Sequence, residues 1–461
     1  MPSLAGQVIA RFEKRSPLTV MTRALFEHVL TAESLDELFR NNVEHQYEQN
    51  LLFSTVLDVM TDVVLCARPS VRQSYIERRE QFSVSLTSLY NKLNATETSV
   101  SEALIRWSSE KLSAVQSHLP NQRPALVPGF ELKILDGNCV ASTEHRIKEL
   151  RTTNAGALPG KSLAIYDAAT DLFEACLLCE DGHAQERSLF DRWMEYVKPG
   201  QLWLDDRNFC TLGALFGIHE RGAKFITREH ATNAPWEQVD ESKEIGRVDT
   251  GTVYEQRVKL TADDGRTLAI RRITLKLDVP TRDGEIEIHL LTNLTKKEMG
   301  AQQVADMYRN RWSIEKAFLH LTMDLNSEIN TLGYPRAALL GFAVGVVAYN
   351  MVSTLKAAIR AEHGQQKVEQ LSGYSMSVDI RANYEGMDIA VEEEVWEPIR
   401  RWTAKQLAEY LQALATKVDM VRFKKSVRGP KKPAPKRTSH KNTPHVSTAK
   451  LLATRKRKEA P

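Results

Sequence analysis

Strand-like and helix-like segments alternate between residues 126 and 228, and this alternation constrains the fold more than any other feature of the chain. The apolar segments FELKILDG, KSLAIYDAAT, LFEACLLCE and QLWLDD have the length and the residue types of strands. The segments ERSLFDRWMEYVK and NFCTLGALFGIHERG, which flank the last of them, carry apolar residues at helical spacing. The pattern predicts an α/β fold in which helices cover both faces of one sheet.

The pattern differs on either side of this region, and the differences divide the 461 residues into six predicted units. Apolar residues at three- and four-residue intervals predict helices before it, and Asp-Gly turns between alternating segments predict hairpins after it. The predicted units are a helical N-terminal domain (1–125), the first part of the α/β core (126–228), a β-rich insertion (229–295), the second part of the core (296–360), a C-terminal helical region (361–421) and a basic disordered tail (422–461).

The basic charge of the chain is concentrated at its C-terminal end. The formal net charge is only +3, yet residues 422–461 contain 14 Lys or Arg and one acid, so the preceding residues are net acidic. A basic segment rich in Pro, Ser and Thr favours polyanions such as nucleic acids. The alternative is a tail that only keeps the protein soluble.

Composition predicts a cytoplasmic protein and argues against a membrane protein. The longest apolar stretch, residues 337–352, is short and contains two glycines and an asparagine, which favours a buried core helix. Charged residues interrupt the N-terminal segment MPSLAGQVIARFEKR, where a signal peptide needs an apolar run. Five scattered cysteines suit a reducing compartment.

Two aspartates lie at the ends of predicted strands. Asp136 ends the strand in ILDGN, and Asp206 ends another in LWLDDRNF. Side chains at the carboxyl ends of strands in an α/β sheet converge on one crevice, and two such carboxylates repel each other unless a cation neutralises them. Hard oxygen ligands favour Mg²⁺ or Mn²⁺ over zinc. Asp205 competes with Asp206 for this role, but alternation along a strand points the two neighbours to opposite faces.

A third carboxylate lies on a predicted helix further along the chain. Tyr308, Arg311 and Glu315 are three and four residues apart, so they share one helix face. A carboxylate, a guanidinium and a phenol can bind a metal ion and clamp a phosphate. The same face is also typical of an ordinary surface ion pair, and spacing alone does not decide between the two.

Three blocks of the sequence resemble the DDE transposases of bacterial insertion sequences, specifically the branch founded by insertion sequence four. ILDGN with STEHRIKELR resembles the family's first-aspartate block, LWLDDRNFCTLGALFGIHERGAKFITREH resembles the second, and YRNRWSIEKAFLHL resembles the glutamate block. The blocks occur in the family's order over roughly residues 130 to 350.

The resemblance implies an RNase H-like catalytic core interrupted by the all-β insertion, and two divalent ions, Mg²⁺ or Mn²⁺. Asp136, Asp206 and Glu315 are then both the catalytic residues and the metal ligands. Tyr308 and Arg311 fall on positions that contact DNA phosphates.

The resemblance leaves alternatives open at several other positions. His145 and Arg146 in the first block either position DNA or are structural. The family signature has a lysine seven residues after the glutamate, but this chain has Thr322 there, so a phosphate contact is either lost or supplied by another residue such as Lys316. Trp236 either stacks on a displaced base or packs against its own hairpin.

The implied function is cut-and-paste transposition. The protein is expected to bind double-stranded DNA at the ends of an insertion sequence, through the N-terminal domain among others, and to act as a homodimer associated with the nucleoid. Cleavage by two-metal-ion hydrolysis then frees 3′-OH ends that attack target DNA. Two alternatives remain at this stage: a transposase-derived DNA-binding protein without activity, and an RNase H-like nuclease that cuts without joining.

Overall fold

A computed structural model gives the structure of the protein over residues 6–45, 51–121, 123, 125–140, 147, 156–281, 283–426, 429 and 445–459. The α-helices found there are, in chain order, α1 (Gln7–Arg15), α2 (Pro17–Val29), α3 (Ala32–Asn42), α4 (Phe53–Val64), α5 (Val71–Glu77), α6 (Leu86–Ala95), α7 (Thr98–Ser117), α8 (Phe190–Met194), α9 (Leu212–Glu220), α10 (Ala301–Tyr308), α11 (Trp312–Met323), α12 (Pro335–His363), α13 (Gln365–Glu369), α14 (Gly373–Ala390), α15 (Glu397–Arg400), α16 (Ala404–Ala415) and α17 (Thr448–Glu459).

The strands over the same residues are β1 (Glu131–Val140), β2 (Gly156–Leu158), β3 (Gly160–Asp167), β4 (Leu172–Cys179), β5 (Gln201–Asp205), β6 (Lys224–Arg228), β7 (Trp236–Gln238), β8 (Lys243–Val248), β9 (Gly251–Thr261), β10 (Thr267–Leu277), β11 (Glu287–Thr292) and β12 (His445–Ser447). Ten of them form one mixed sheet in the order β4-β3-β1-β5-β6-β11-β10-β9-β7, with β8 also paired to β9. The prediction of a mixed α/β architecture built on a large sheet is confirmed.

The centre of the sheet is parallel, whereas its flanks are antiparallel. Strand β5 runs parallel to both β1 and β6, and β3 runs antiparallel to β1. The strands between residues 236 and 292 are joined to this centre, because β11 pairs antiparallel with β6 through Leu290, Leu291 and Thr292. The β-rich segment therefore extends the same sheet.

Helices bury both faces of the sheet. One face, with Ile134, Leu204 and Ile226, packs in a core shared with α7, α11 and α12. The opposite face, with Leu135, Trp203 and Phe225, packs against α8 and α9. Because successive strand residues point to opposite faces, each strand contributes side chains to both cores.

Helix α12 is the central helix of the first core. By length and composition alone it is apolar enough to cross a membrane, but 94% of its most apolar 18-residue window is buried inside the protein. Its Asn350 side chain holds both backbone groups of Phe173 on β4, with an N–O distance of 2.9 Å in each direction. The apolar stretch is therefore a buried core helix, as predicted.

The first and last helical regions pack on each other. Helix α2 contacts α14, α15 and α16, and the Arg400 guanidinium donates to the Glu27 carboxylate at 2.7 Å. The Tyr410 hydroxyl donates to Glu13 at 2.8 Å. Helices predicted as two separate regions of the sequence thus share one apolar core.

The prediction of a disordered tail is wrong for residues 445–459. Strand β12 pairs parallel with β2, and α17 follows it. Val446, Leu451 and Leu452 pack against Ile147 and Ala157. Strand pairing and this small apolar contact offset the conformational entropy that a basic segment loses on ordering.

Candidate active site

Two aspartates occupy matching positions along neighbouring parallel strands, Asp136 within β1 and Asp206 directly after the end of β5. The last registered pair between β1 and β5 is Ile134 with Leu204. Asp136 and Asp206 each follow two residues later, so alternation directs both side chains to the face that α11 and α12 cover. The strand β1 continues to Val140 as the partner of β3, so the prediction that the strand ends at Asp136 is wrong.

Asp205, the alternative to Asp206, points the other way. It is 1% exposed, ends β5 and lies beside Thr227 of β6. Burial raises its pKa well above the ordinary range, while Thr227 opposes the rise. Asp206 is partly exposed, and its Oδ1 accepts from the Arg207 backbone amide at 2.7 Å. Asp206 is therefore the carboxylate that a substrate can reach.

Glu315 lies in the first turn of α11, beyond a break in the predicted long helix. Residues 309–311 form a 3-10 turn between α10 and α11, so Tyr308 and Glu315 belong to different helices. The break does not separate Arg311 from Glu315, whose Nη2 and Oε1 atoms are 2.7 Å apart. The turn places the Arg311 side chain against the sheet.

Arg311 joins the carboxylates of the sheet and the helix. Its Nη1 lies 3.1 Å from Asp136 Oδ2, and its side chain is 10% exposed. Burial, with smaller contributions from the Glu315 and Asp206 carboxylates, raises the pKa of Asp136 to about 7, although Arg311 and the Gly137 amide oppose the rise. The three acids therefore share one electrostatic environment with a guanidinium among them.

Tyr308 completes this group from the end of α10. The residue is 7% exposed, and its hydroxyl has no hydrogen-bond partner within the described part of the chain. Burial raises the pKa of the phenol, while the Arg311 charge lowers it and the Asp206 charge raises it further. A buried hydroxyl without a partner beside a guanidinium is suited to donate a hydrogen bond to an anion.

The comparison with known families concerns the same stretch of chain. Residues 131–351 match the family model described as "Transposase DDE domain". This stretch of the chain is similar to transposase DDE domains. The match indicates a transposase, an enzyme whose partner is DNA. No curated protein is significantly similar to the chain.

Lys316 and Thr322 make no contact with the carboxylates among the described residues, and two further predicted residues cannot be placed. Lys316 and Thr322 are exposed on α11, where the Thr322 hydroxyl donates to the Leu319 carbonyl at 3.1 Å. His145 and Arg146 lie outside the residues that the structure describes.

Trp236 packs within its own hairpin region. Its indole N–H donates to Glu229 at 2.7 Å, and the Arg272 guanidinium lies 5.0 Å from the centre of its ring. Arg272 also donates to Glu229 at 2.7 Å. The indole is held by two neighbours, as the packing alternative predicts.

Two residues near the carboxylates are not among the site residues predicted from the sequence, in which Glu186 is predicted to lie at a helix start. The Glu186 carboxylate lies so close to Gly137 that a Cβ there would overlap it. Arg228, at the end of β6, pairs with Glu285 at 2.5 Å and contributes to the electrostatic environment of Tyr308. The glycine that follows Asp136 was a possible signal of close packing by another side chain, but an Asp-Gly pair is more often typical of a turn. No pattern in the sequence pointed to Arg228.

The carboxylates of the site are paired with a guanidinium. Across the described residues there is no group of three or more His, Cys, Asp or Glu side chains that could hold a metal ion. Arg311 lies between Asp136 and Glu315 and neutralises them. In this arrangement the guanidinium is the cation of the site.

Proposed function

We propose that the protein is a transposase that cuts DNA at the ends of its own element and joins the freed 3′-OH ends to target DNA. The proposal assigns Asp136, Asp206 and Glu315 as the catalytic carboxylates. The observation that carries it is the matching position of Asp136 and Asp206 on parallel strands, with Arg311 linking Asp136 to Glu315, inside the segment that matches the transposase DDE domain. The mixed sheet with helices on both faces supports an RNase H-like core.

The donor set fits divalent ions by its chemistry. All three side chains offer carboxylate oxygens, the ligands that Mg²⁺ and Mn²⁺ prefer. The pKa of Asp136, raised to about 7, reflects a buried carboxyl group beside two further acids. A nearby positive charge stabilises the ionised form of such a group, and the Arg311 guanidinium supplies that charge in this site.

The metal ions, when bound, supply activation of a water nucleophile and stabilisation of the leaving 3′ oxygen. The residues of the chain position the DNA. Arg311 presents a planar guanidinium that can hold two oxygens of one phosphate. The Tyr308 hydroxyl donates to a third oxygen, and exclusion of water around these buried side chains strengthens each contact.

A phosphate that binds Arg311 also alters the electrostatic environment of Asp136 and Glu315. The guanidinium already donates to Asp136 through Nη1 and to Glu315 through Nη2, so a phosphodiester that binds these two nitrogens competes with the carboxylates. DNA that draws Arg311 toward the phosphate leaves Asp136 and Glu315 without their neutralising partner. DNA binding and metal binding are then coupled through one side chain.

The remaining parts of the proposal concern DNA and assembly. The freed 3′-OH attacks either the opposite strand, to form a hairpin, or target DNA. The exposed Lys316 on α11 lies one residue from Glu315 and is assigned to the DNA backbone, and His145 and Arg146 are assigned to DNA by resemblance. Two ends must be cut together, so we assign the active form to a dimer on DNA.

A cleavage and strand-transfer assay tests the proposal. A plasmid that carries the element's own ends is incubated with Mg²⁺ or Mn²⁺ and with wild type, Glu315→Gln or Asp206→Asn. We expect metal-dependent excision and joined product with wild type and neither with the two variants. Asp205→Asn is the matched control, because it changes the neighbouring carboxylate, which points to the opposite face, and we expect it to keep activity.

Other outcomes support different functions. DNA binding without cleavage by the wild type would identify a DNA-binding protein that has lost its activity. Cleavage without joined product would identify a nuclease. Full activity in Glu315→Gln would show that the third carboxylate has been assigned wrongly.

A further inference from the structure

A cavity with both polar and apolar lining lies at the end of the sheet opposite the carboxylates. It has a volume of about 130 Å³ and lies among the end of α7, the segment that follows it, the turn between β3 and β4, and the last part of α12. The register of β1 and β3 pairs Asp136 with Ala164 and Lys133 with Asp167, so the β3–β4 turn lies beyond the amino-terminal side of β1. The cavity is therefore separate from the proposed active site.

Two arginines and several small polar side chains line this cavity. The full set is Ser113, Gln116, Ser117, Leu119, Pro120, Asn121, Arg123, Ala169, Thr170, Ala357 and Arg360. No carboxylate belongs to the set. The volume is about ten times the roughly 10–15 Å³ that one water molecule requires.

Arg360 is a buried cation without a partner. It is 4% exposed, its Nε has no hydrogen-bond partner, and its guanidinium makes no hydrogen bond or ion pair with any residue that the structure describes. Burial and the like charge of Arg123 lower the pKa of Arg360 to about 10. An unpaired buried charge is costly, and such charges are normally paired.

Arg123 adds a second positive group with unused donors. Its Nη1 donates to the Ala168 carbonyl at 3.1 Å, and its Nε has no partner within the described residues. Two guanidiniums that face one cavity repel each other, which disfavours the empty state and favours an occupant of opposite charge.

The nearest acids are engaged elsewhere. Asp171 and Glu369 contribute to the electrostatic environment of Arg360 without forming an ion pair with it. Asp171 Oδ1 accepts hydrogen bonds from the Tyr349 hydroxyl at 2.8 Å and from the Tyr166 hydroxyl. Glu369 accepts from Gln365 at 2.8 Å. Neither acid neutralises the cavity.

We propose that Arg360 and Arg123 form an anion-binding site for a phosphate group, distinct from the proposed active site. Two guanidiniums supply planar pairs of N–H donors that match the oxygens of a tetrahedral phosphate, and the small hydroxyl and amide side chains around them supply further hydrogen bonds. The phosphate has two possible sources with the same chemistry, a free phosphate and a phosphodiester of the DNA backbone.

The first experiment measures stabilisation of the full-length protein by inorganic phosphate. Thermal unfolding is followed in potassium phosphate and in potassium chloride at equal ionic strength, for wild type and Arg360→Met. We expect phosphate to raise the Tm of wild type by several degrees more than chloride does, and this difference to disappear in Arg360→Met. Because the substitution removes an unpaired buried charge, we expect the variant without phosphate to be at least as stable as wild type.

Matched controls separate the site from general charge effects. Lys356→Met removes the same charge one turn earlier on α12, outside the cavity lining, and should keep the full phosphate response. Arg123→Met provides a second test at a less buried position and should weaken the response. An equal response to phosphate in wild type, Arg360→Met and Arg123→Met would overturn the proposal, as would equal effects of phosphate and chloride on wild type.

A binding assay with a short DNA duplex that lacks the element's ends separates the two sources. Affinity is measured over a range of salt concentrations for wild type, Arg360→Met and Lys356→Met. A backbone phosphate in the cavity predicts that Arg360→Met alone lowers the slope of log affinity against log salt by about 1. A free phosphate predicts unchanged DNA binding together with the lost thermal response.

Discussion

The Arg311 guanidinium reaches the Asp136 carboxylate across 175 residues of sequence, with 3.1 Å between Nη1 and Oδ2. The contact connects the 3-10 turn before α11 to the centre of the sheet. The same guanidinium holds Glu315 at 2.7 Å, so one side chain neutralises the two acids that the proposed reaction requires free. The relationship makes Arg311 both a part of the metal-free fold and a candidate ligand of the phosphate.

Replacement of Arg311 by Met should separate these two roles. Without the guanidinium, Asp136 and Glu315 are left uncompensated, so we expect Mn²⁺ to bind the DNA-free variant at least several-fold more tightly than wild type. We expect DNA cleavage to be lost. The metal-free variant should also be less stable by about 1–3 kcal/mol, below the value of a fully buried pair because Glu315 is 39% exposed.

Electron paramagnetic resonance of free Mn²⁺ and urea unfolding in a chelator measure the two effects. Arg309→Met is the control, since Arg309 is 57% exposed and contacts only Asp306 at 3.9 Å among the carboxylates. Mn²⁺ affinity that is equal in wild type and Arg311→Met would contradict the idea that Arg311 occupies the cation position.

Introduction of the family lysine at position 322 should strengthen DNA binding. Thr322 is exposed near the end of α11, and its hydroxyl contacts only carbonyls of its own helix, so Thr322→Lys breaks no tertiary contact. If the lysine reaches a backbone phosphate, the salt dependence of binding to the element's end steepens by about 1 in slope. Thr322→Gln, of similar length but uncharged, should leave the slope unchanged. An identical slope for Lys and Gln would place this position away from the DNA.

Alanine at position 137 should disturb the β1 strand beside Asp136. A Cβ there overlaps the Glu186 carboxylate, which must then move. Because the carboxylate is the end of a flexible side chain, we expect Gly137→Ala to cost only about 1 kcal/mol, the lower end for overpacking. Glu186→Ala removes the obstacle, so the cost of Gly137→Ala should nearly vanish in that background. Urea unfolding of the four proteins measures this coupling, and equal costs in both backgrounds would show that the strain lies elsewhere.

The sequence predicted the parts of the fold that depend on local patterns. Strand and helix alternation, the β-rich segment and the buried α12 all follow from periodicity and composition, which report burial directly. Asp136 and Asp206 were predicted from apolar segments that each reach an aspartate, although β1 continues beyond Asp136. The pairing of Ile134 with Leu204, which puts those aspartates side by side, required the register of two strands about 70 residues apart in the chain.

The features that the sequence did not predict depend on contacts between distant segments. The break between α10 and α11 lies in a continuous helical pattern, and no residue there is a glycine or proline. The ordered end of the tail depends on β2, although the two leucines at positions 451 and 452 were an available signal of packing. The unpaired Arg360 is invisible in a sequence, because an arginine in the last turn of a helix is typical of a favourable helix-dipole contact.

The interface between the first and last helical regions should weaken in acid through His28. This histidine lies on α2, and its Nδ1 is 3.4 Å from the Ile399 carbonyl of α15. Burial lowers its pKa below the ordinary value, and the charge of Lys111 lowers it further, while the Ile399 carbonyl opposes the change. The folded protein therefore holds His28 neutral more strongly than the unfolded chain does. Its contribution to stability is complete above about pH 6.5, the value for an unfolded histidine, and is lost as the pH falls toward the folded pKa.

Urea unfolding between pH 8 and 5.5 measures this effect. The free energy of unfolding of wild type should fall below pH 6.5 with a slope that approaches at most about 1.4 kcal/mol per pH unit from this one group. His28→Gln keeps a polar side chain that does not titrate, so its curve should be flatter than that of wild type in this range. If His28→Gln loses stability in acid as steeply as wild type, the acid sensitivity arises from other groups and the contact between α2 and α15 does not respond to pH.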